Sequence, residues 1–97
     1  MKESDYQSKV IKKIEKMFPG AIVLKNDPSY KQGIPDLMIL YKDKWAALEV
    51  KKSEKSRKEP QPNQEYYVET LNQMSFSSFI YPENEKEVFN ALERSFT

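Results

Sequence analysis

The spacing of apolar residues along the chain predicts a mixed α/β fold. Apolar side chains recur every three or four positions in three stretches, which predicts helices over residues 3–18, 62–73 and 84–96. Shorter apolar runs predict four strands over residues 21–25, 34–41, 45–51 and 76–81. The predicted order is therefore α-β-β-β-α-β-α, in a single domain formed by residues 1–97.

The second and third predicted strands are close enough in sequence to form a β-hairpin. Only Lys42-Asp43-Lys44 separates Ile34–Tyr41 from Trp45–Lys51. A turn centred on Lys42-Asp43 makes the numbers of opposed residues sum to 85, so Asp36 lies directly across from Glu49. Opposed side chains have Cβ atoms about 4.5–5.5 Å apart. A turn with one more residue would leave the two acids diagonal to each other but still close.

Two neighbouring carboxylates at the end of a buried hairpin indicate a cation site. Asp36 and Glu49 repel each other unless a positive charge lies between them. Lys51, two residues beyond Glu49, projects from the same face of the strand. The pattern therefore predicts a divalent metal ion bound between the two acids.

Apolar residues occur on both faces of the hairpin. Leu37 and Ile39 point one way, whereas Met38 and Leu40 point the other, which indicates a sheet covered by helices on both sides. The connection from the third to the fourth strand has the length of a right-handed βαβ crossover. We therefore expect a mixed central sheet in an α/β sandwich.

Composition removes several classes of site. The chain has no cysteine and no histidine, which excludes disulfides, thiolate metal sites and every mechanism that needs imidazole. Catalysis would have to use carboxylates, lysine and a metal ion. No apolar run approaches the roughly 20 residues of a membrane span, and the first residues do not resemble a signal peptide. These features favour a cytoplasmic protein with no membrane partner.

Charge is close to balanced over the whole chain but uneven along it. The formal net charge is +1, yet Lys51–Lys58 carries five basic residues against one acid. This basic segment directly follows the predicted acidic pair, where it could bind a phosphate backbone. Residues at about 52–61 also lack apolar side chains and are expected to form a mobile loop, so a solvated loop without a binding role is the alternative.

The acidic pair, its lysine and the order of elements together resemble a known family. Pro35-Asp36, followed by Glu49-Val50-Lys51, resembles the PD-(D/E)XK nuclease superfamily, which has the restriction-endonuclease-like fold, a three-layer sandwich. More narrowly, Gly33-Ile34-Pro35-Asp36 and Gln64 resemble the VRR-NUC (virus-type replication-repair nuclease) branch. That branch includes small phage proteins and domains of repair nucleases, and is similar to the archaeal Holliday-junction resolvases.

The resemblance implies a role for each residue of the motif. Asp36, Glu49 and the carbonyl of Val50 would bind Mg²⁺ or Mn²⁺, both of which accept oxygen ligands. Lys51 would orient the attacking water or stabilise the transition state, and Gln64 would hold the water or a phosphate oxygen. Glu3 matches the acid that the family places on its first helix, with Asp5 as the nearby competitor.

The implied function is that of a metal-dependent DNA endonuclease, selective for branched DNA such as Holliday junctions. The implied protein is a homodimer in the cytoplasm of a bacterium or of a phage-infected host. Basic residues near the motif are candidate DNA contacts: Lys25, Lys31, Lys52, Lys55, Arg57 and Lys58. The alternative is a module of the same fold that binds nucleic acid or protein without cleavage. Considered singly, Pro35-Asp36 is typical of a turn and Glu3 of a helix terminus.

Overall fold

A computed structural model describes all 97 residues as four helices and four strands. In chain order the elements are α1 (Glu3–Met17), β1 (Ile22–Lys25), β2 (Leu37–Tyr41), β3 (Lys44–Val50), α2 (Glu54–Arg57), α3 (Gln64–Met74), β4 (Phe76–Ile80) and α4 (Glu85–Phe96). The predicted α/β class and all seven predicted elements are confirmed. None of the helices has the length and apolar composition needed to cross a lipid bilayer.

One helix was not predicted by the periodicity. Residues 52–61 were expected to form a loop, but Glu54–Arg57 forms one helical turn, which corrects the order to α-β-β-β-α-α-β-α. Ser53 caps this turn, because its hydroxyl oxygen accepts a hydrogen bond from the Ser56 N–H at 3.1 Å. A helix of four residues has too few positions to show apolar spacing, so only its cap could have indicated it.

The four strands form one mixed sheet in the order β1-β2-β3-β4. The β1–β2 and β2–β3 pairs are antiparallel, and β3 and β4 are parallel. A two-residue turn joins β2 to β3, and Lys42 in that turn has φ 57°, a positive value that suits the twist of short hairpins. The pairs from Leu37↔Leu48 to Tyr41↔Lys44 confirm the predicted register.

One face of the sheet carries the hydrophobic core. Helices α1 and α4 pack there against alternate residues of the strands, and buried side chains from α1, α4, β2, β3 and β4, together with Phe18, form one cluster of 14 residues. The cluster consists of Tyr6, Val10, Ile14, Phe18, Leu37, Ile39, Ala46, Leu48, Val50, Ile80, Val88, Phe89, Leu92 and Phe96. Asp36 and Glu49 belong to the alternate set of residues and therefore point to the opposite face.

The opposite face is only half covered, which corrects the expectation of a sheet enclosed on both sides. Helix α3 packs over β3 and β4, because it connects these two parallel strands. Over β1 and β2 the apolar side chains stay accessible: Ile22 is 57%, Leu24 47% and Leu40 37% exposed. A single crossover helix is too narrow to cover four strands, so the apolar side chains of β1 and Leu40 of β2 stay accessible.

Candidate metal centre

Asp36 and Glu49 are held side by side by the hairpin. The last β2–β3 pair is Leu37↔Leu48, and the same register continued by one residue sets Asp36 opposite Glu49. Asp36 O accepts a hydrogen bond from Asn26 N–H at 2.8 Å, so its backbone groups face β1 and not β3. The Asp36–Glu49 position is therefore of the non-hydrogen-bonded kind, in which opposed side chains approach most closely.

The two carboxylates have different environments. Asp36 is half-buried, and its Oδ2 accepts a hydrogen bond from Val50 N–H at 2.9 Å. Glu49 is 2% exposed and lies in the central part of the sheet. Its Oε2 accepts a hydrogen bond from Gln64 Nε2 at 3.2 Å, whereas its Oε1 is buried with no hydrogen-bond partner. A buried carboxylate oxygen without a donor is costly for a folded protein.

Burial and the neighbouring acid both favour the protonated form of Glu49. Burial is the larger cause and, together with the negative charge of Asp36, raises the pKa of Glu49 to about 9. The charge of Lys51 opposes this rise without cancelling it. The pair therefore retains a proton at neutral pH, and a bound cation would have to displace it.

The main chain adds a third oxygen to the pair. Lys51 N–H donates to Ile80 O at 2.9 Å, so the trans peptide turns the Val50 carbonyl toward β2 and Asp36. The β2–β3 register sets Pro35 opposite Val50, and proline has no N–H to donate to that carbonyl. The carbonyl of Val50 therefore lacks the backbone donor that another residue at position 35 could supply.

Lys51 is a buried lysine beside the acidic pair. It is 6% exposed, and it takes part in none of the three ion pairs of the structure. Its charge opposes the rise in the pKa of both Glu49 and Glu3, so the ammonium group acts on both acids. An unpaired ammonium at this depth is available to a phosphate or a water molecule.

Gln64 enters the site from the N-terminus of α3. In addition to the hydrogen bond to Glu49, its Oε1 accepts one from Gln61 N–H at 2.9 Å. Both halves of the amide are thus engaged, and the side chain has a fixed direction. The sequence placed Gln64 here only through the family resemblance.

Glu3 reaches the edge of the site from α1. Its pKa is raised by burial and by the charge of Asp36, while Lys51 and Lys52 act in the opposite direction. Even so, no three Asp, Glu, His or Cys side chains form a cluster able to hold a metal ion. The oxygens set side by side belong to two carboxylates and one carbonyl, and Glu3 lies near enough for its charge to interact with that of Asp36.

The candidate DNA-binding residues occupy different surroundings. Lys52, Lys55 and Lys58 are exposed on the segment that follows the site. Arg57 is held differently, because its guanidinium lies 3.8 Å from the centre of the Phe79 ring and pairs with Glu65 at 3.1 Å. Arg57, named from the sequence as a candidate DNA contact, is thus packed against Phe79 and paired with Glu65.

The two basic residues that precede the site also differ. Lys31 is exposed, with its ammonium 6.0 Å from the centre of the Tyr67 ring of α3. Lys25 alternates with Leu24 on β1 and therefore projects from the core side of the sheet, opposite to Asp36. Lys31 therefore lies beside α3, the helix that carries Gln64, whereas Lys25 projects from the other side of the sheet.

Residues that support the site were missing from the sequence-based set. Asn26 binds Pro35 O through its side chain at 2.8 Å and Asp36 O through its backbone. Phe79 is the β4 partner of Glu49 and supports Arg57. An asparagine that ends a strand before a turn is a weak signal for the first of these, and no local pattern indicates the second.

Comparison with protein-family models, with curated proteins and with solved structures gives no match to this chain. The oxygens of two carboxylates and a main-chain carbonyl can bind a hard divalent cation. The buried lysine places a second positive charge beside that cation. That combination suits hydrolysis of a phosphate ester.

Proposed function

We propose that the protein is a Mg²⁺- or Mn²⁺-dependent endonuclease that hydrolyses phosphodiester bonds in DNA. The observation that carries the proposal is the buried Glu49 oxygen without a hydrogen-bond partner, set beside a second carboxylate. Structural carboxylates are normally paired with donors or cations. A buried acid pair that holds a proton and still leaves one oxygen without a donor favours a bound cation as the missing partner.

The available oxygen ligands fit Mg²⁺ or Mn²⁺. Asp36, Glu49 and the carbonyl of Val50 would hold the ion, and Glu3 could bind through an intervening water. Few protein ligands are needed, because Mg²⁺ keeps several waters and is commonly bound by one or two carboxylates with substrate phosphate. Such an ion, when bound, lowers the pKa of a coordinated water and neutralises charge on phosphoryl oxygens.

The chain's own residues would orient and stabilise the reacting groups. The Lys51 ammonium lies on the same face as Glu49 and could donate to a phosphoryl oxygen as negative charge develops on it. Gln64 keeps Glu49 in a single orientation through its 3.2 Å hydrogen bond. Asp36 is oriented in turn by Val50 N–H. Each acid therefore has a separate support.

DNA is the proposed substrate because exposed lysines lie next to the acidic pair. Lys52, Lys55 and Lys58 follow the acidic pair in sequence, and Lys31 lies beside Tyr67 of α3. These charges would bind the phosphate backbone, which carries most of the affinity in such complexes. We propose a PD-(D/E)XK nuclease of the VRR-NUC branch, with the restriction-endonuclease-like arrangement of its three layers.

Branched DNA and a homodimer complete the proposal. One chain has one acidic pair, so cleavage of two strands at symmetric positions would need two copies of the chain. A Holliday junction offers such symmetric positions. The domain is small, and two copies would also double the surface that contacts the DNA arms.

The test combines metal uptake with cleavage. We expect calorimetric titration to show Mn²⁺ or Mg²⁺ binding to the wild-type protein and none to Asp36→Asn. Asp43→Asn is the matched control, since Asp43 lies in the turn of the same hairpin and is exposed. In a panel of labelled linear, nicked, flap and four-way-junction DNA, wild type and Asp43→Asn should cleave the branched substrates preferentially, and Asp36→Asn should cleave none.

Other outcomes would decide against the proposal. Cleavage that persists in Asp36→Asn would place the reaction elsewhere. DNA binding without metal uptake would favour the non-cleaving module. A monomer in gel filtration that leaves four-way junctions uncut would remove the dimer and the branched substrate, while metal-dependent cleavage of other DNA would leave the nuclease in place.

A further inference from the structure

The loop from Asn26 to Gly33 is fastened at its start to the strand that carries Asp36. Asn26 N–H donates to Asp36 O, and Asn26 Nδ2 donates to Pro35 O, both at 2.8 Å. These two hydrogen bonds tie the first residue of the loop to the two residues that enter β2. The loop is thus joined to one side of the metal centre.

The end of the same loop packs against the start of α3. Gly33 is buried and has φ +90°. A Cβ atom on Gly33 would lie 2.6 Å from Asn63 Cβ, 2.7 Å from Pro62 O and 2.8 Å from Asn63 C. Such distances are shorter than real Cβ contacts, and two of the three involve backbone atoms. Only glycine permits this approach.

The residue that Gly33 contacts leads directly into the site. Asn63 is the N-cap of α3 and has φ 70°, and Gln64 is the first residue of the helix. The Gln64 Nε2 to Glu49 Oε2 distance of 3.2 Å is already at the long end of the range for N–H···O hydrogen bonds. A shift of about 0.4 Å away from β3 would lengthen it beyond that range.

We propose that Gly33 is a positioning residue: its close contact with Pro62 and Asn63 holds the start of α3 where Gln64 bonds to Glu49. The functional consequence rests on the proposed function, because Glu49 matters there as a metal ligand. The loop would thereby support both carboxylates. Its first residue, Asn26, is hydrogen-bonded to Asp36, and its last residue, Gly33, holds the helix whose Gln64 is hydrogen-bonded to Glu49.

Gly20 offers a matched control for the test. It has φ +94°, close to that of Gly33, but an added Cβ would meet nothing within 4 Å. Gly20→Ala therefore reports backbone strain alone, whereas Gly33→Ala adds the steric contact. The difference between the two variants isolates the contact with Asn63 and Pro62.

The experiment measures Mn²⁺ affinity by calorimetry in Gly33→Ala, Gly20→Ala, Gln64→Ala and the Gly33→Ala/Gln64→Ala double variant. We expect Gly33→Ala and Gln64→Ala each to weaken binding roughly tenfold, as loss of a support to a metal ligand does. Gly20→Ala should bind as wild type. The double variant should match Gln64→Ala alone, because Gly33 acts through Gln64.

A second readout does not depend on metal. In the ¹⁵N-labelled, metal-free protein, the Gln64 side-chain NH₂ signal should shift in Gly33→Ala and stay unchanged in Gly20→Ala. If wild type binds no Mn²⁺, the proposed function fails, while this signal still decides the positioning role. An unchanged signal in Gly33→Ala, or losses of Mn²⁺ affinity that add in the double variant, would overturn the inference.

A second variant tests the same contact in case Gly33→Ala does not fold. If that variant does not fold, Gly33→Ala/Asn63→Gly removes the closest of the three contacts and leaves the two backbone contacts, so the same shift of the Gln64 signal is expected. Failure of both variants to fold would show that Gly33 supports the whole domain and not the site, which also contradicts the proposal.

Discussion

Two glutamates of this chain, Glu49 and Glu85, show how differently a fold can treat a carboxylate. Glu85 joins α4 to α1: its Oε1 accepts a hydrogen bond from the Tyr6 hydroxyl at 2.8 Å, and its Oε2 pairs with Lys13. Glu49 is more deeply buried, has an acid as its neighbour and leaves one oxygen without a partner. The first arrangement stabilises the fold, whereas the second leaves a buried oxygen that the proposed cation would complete.

The largest expected effect separates the two lysines that accompany these glutamates. Under the proposed function, Lys51→Gln should lower the rate of DNA cleavage about 10²–10³-fold, since the charge proposed to stabilise the transition state is lost. Lys13→Gln, beside Glu85, should leave the rate unchanged. Single-turnover cleavage with Mg²⁺ measures both. Equal rates for wild type and Lys51→Gln would show that Lys51 has no role in cleavage, and the lysines beside Glu49 and Glu85 would then not differ in function.

The second effect is a pH dependence of stability that Glu49 alone should produce. Its pKa is about 9 in the folded chain and near 4.5 when unfolded, so unfolding releases a proton between these values. The free energy of unfolding of the metal-free protein should therefore be highest below pH 4.5, as far as this group is concerned. It should fall as pH rises toward 9, by at most about 1.4 kcal/mol per unit.

Glu49→Gln and Glu85→Gln separate this contribution from the rest of the titration. Urea unfolding in EDTA at several pH values should show the slope in wild type and Glu85→Gln but a flatter curve in Glu49→Gln. At pH 8 Glu49→Gln should be more stable than wild type and Glu85→Gln less stable. The same sign for both substitutions would remove the contrast between the two sites.

A smaller effect is expected when the hydrogen bond from the Tyr6 hydroxyl to Glu85 Oε1 is removed. Tyr6→Phe keeps the ring in the core and removes only the hydroxyl group, so it should cost about 1 kcal/mol of unfolding free energy. Mn²⁺ affinity should not change, because Tyr6 belongs to the stabilising region. Urea unfolding and calorimetry measure the two quantities, and a parallel loss of metal binding would link the regions.

The smallest effect concerns the exposed charges near Glu49. Lys55→Gln should weaken DNA binding by a few tenths of a kcal/mol and reduce the salt dependence of the affinity by about one unit of slope. The fold should be unaffected. Fluorescence anisotropy at several salt concentrations measures the slope. An unchanged slope would show that Lys55 does not contact phosphate and that DNA approaches the acidic pair from another side.

Of the two glutamates, only Glu49 had surroundings that could be predicted from the sequence. Opposition of Asp36 and Glu49 followed from counting residues on either side of a short turn, and the observed β2–β3 register confirms that count. The role of Glu85 was not predicted, because Tyr6 and Lys13 lie 79 and 72 residues away in sequence. No local pattern reports a contact of that range.

The sequence by itself determined the elements of the sheet, the hairpin register and the acidic pair, because short turns and alternation are local and depend on a few neighbouring residues. Tertiary structure alone decided that one sheet face stays half open, that Arg57 packs on Phe79, and that Gly33 touches Asn63 beside Gln64. These contacts depend on how helices settle on the sheet, which is set by packing of many distant side chains at once.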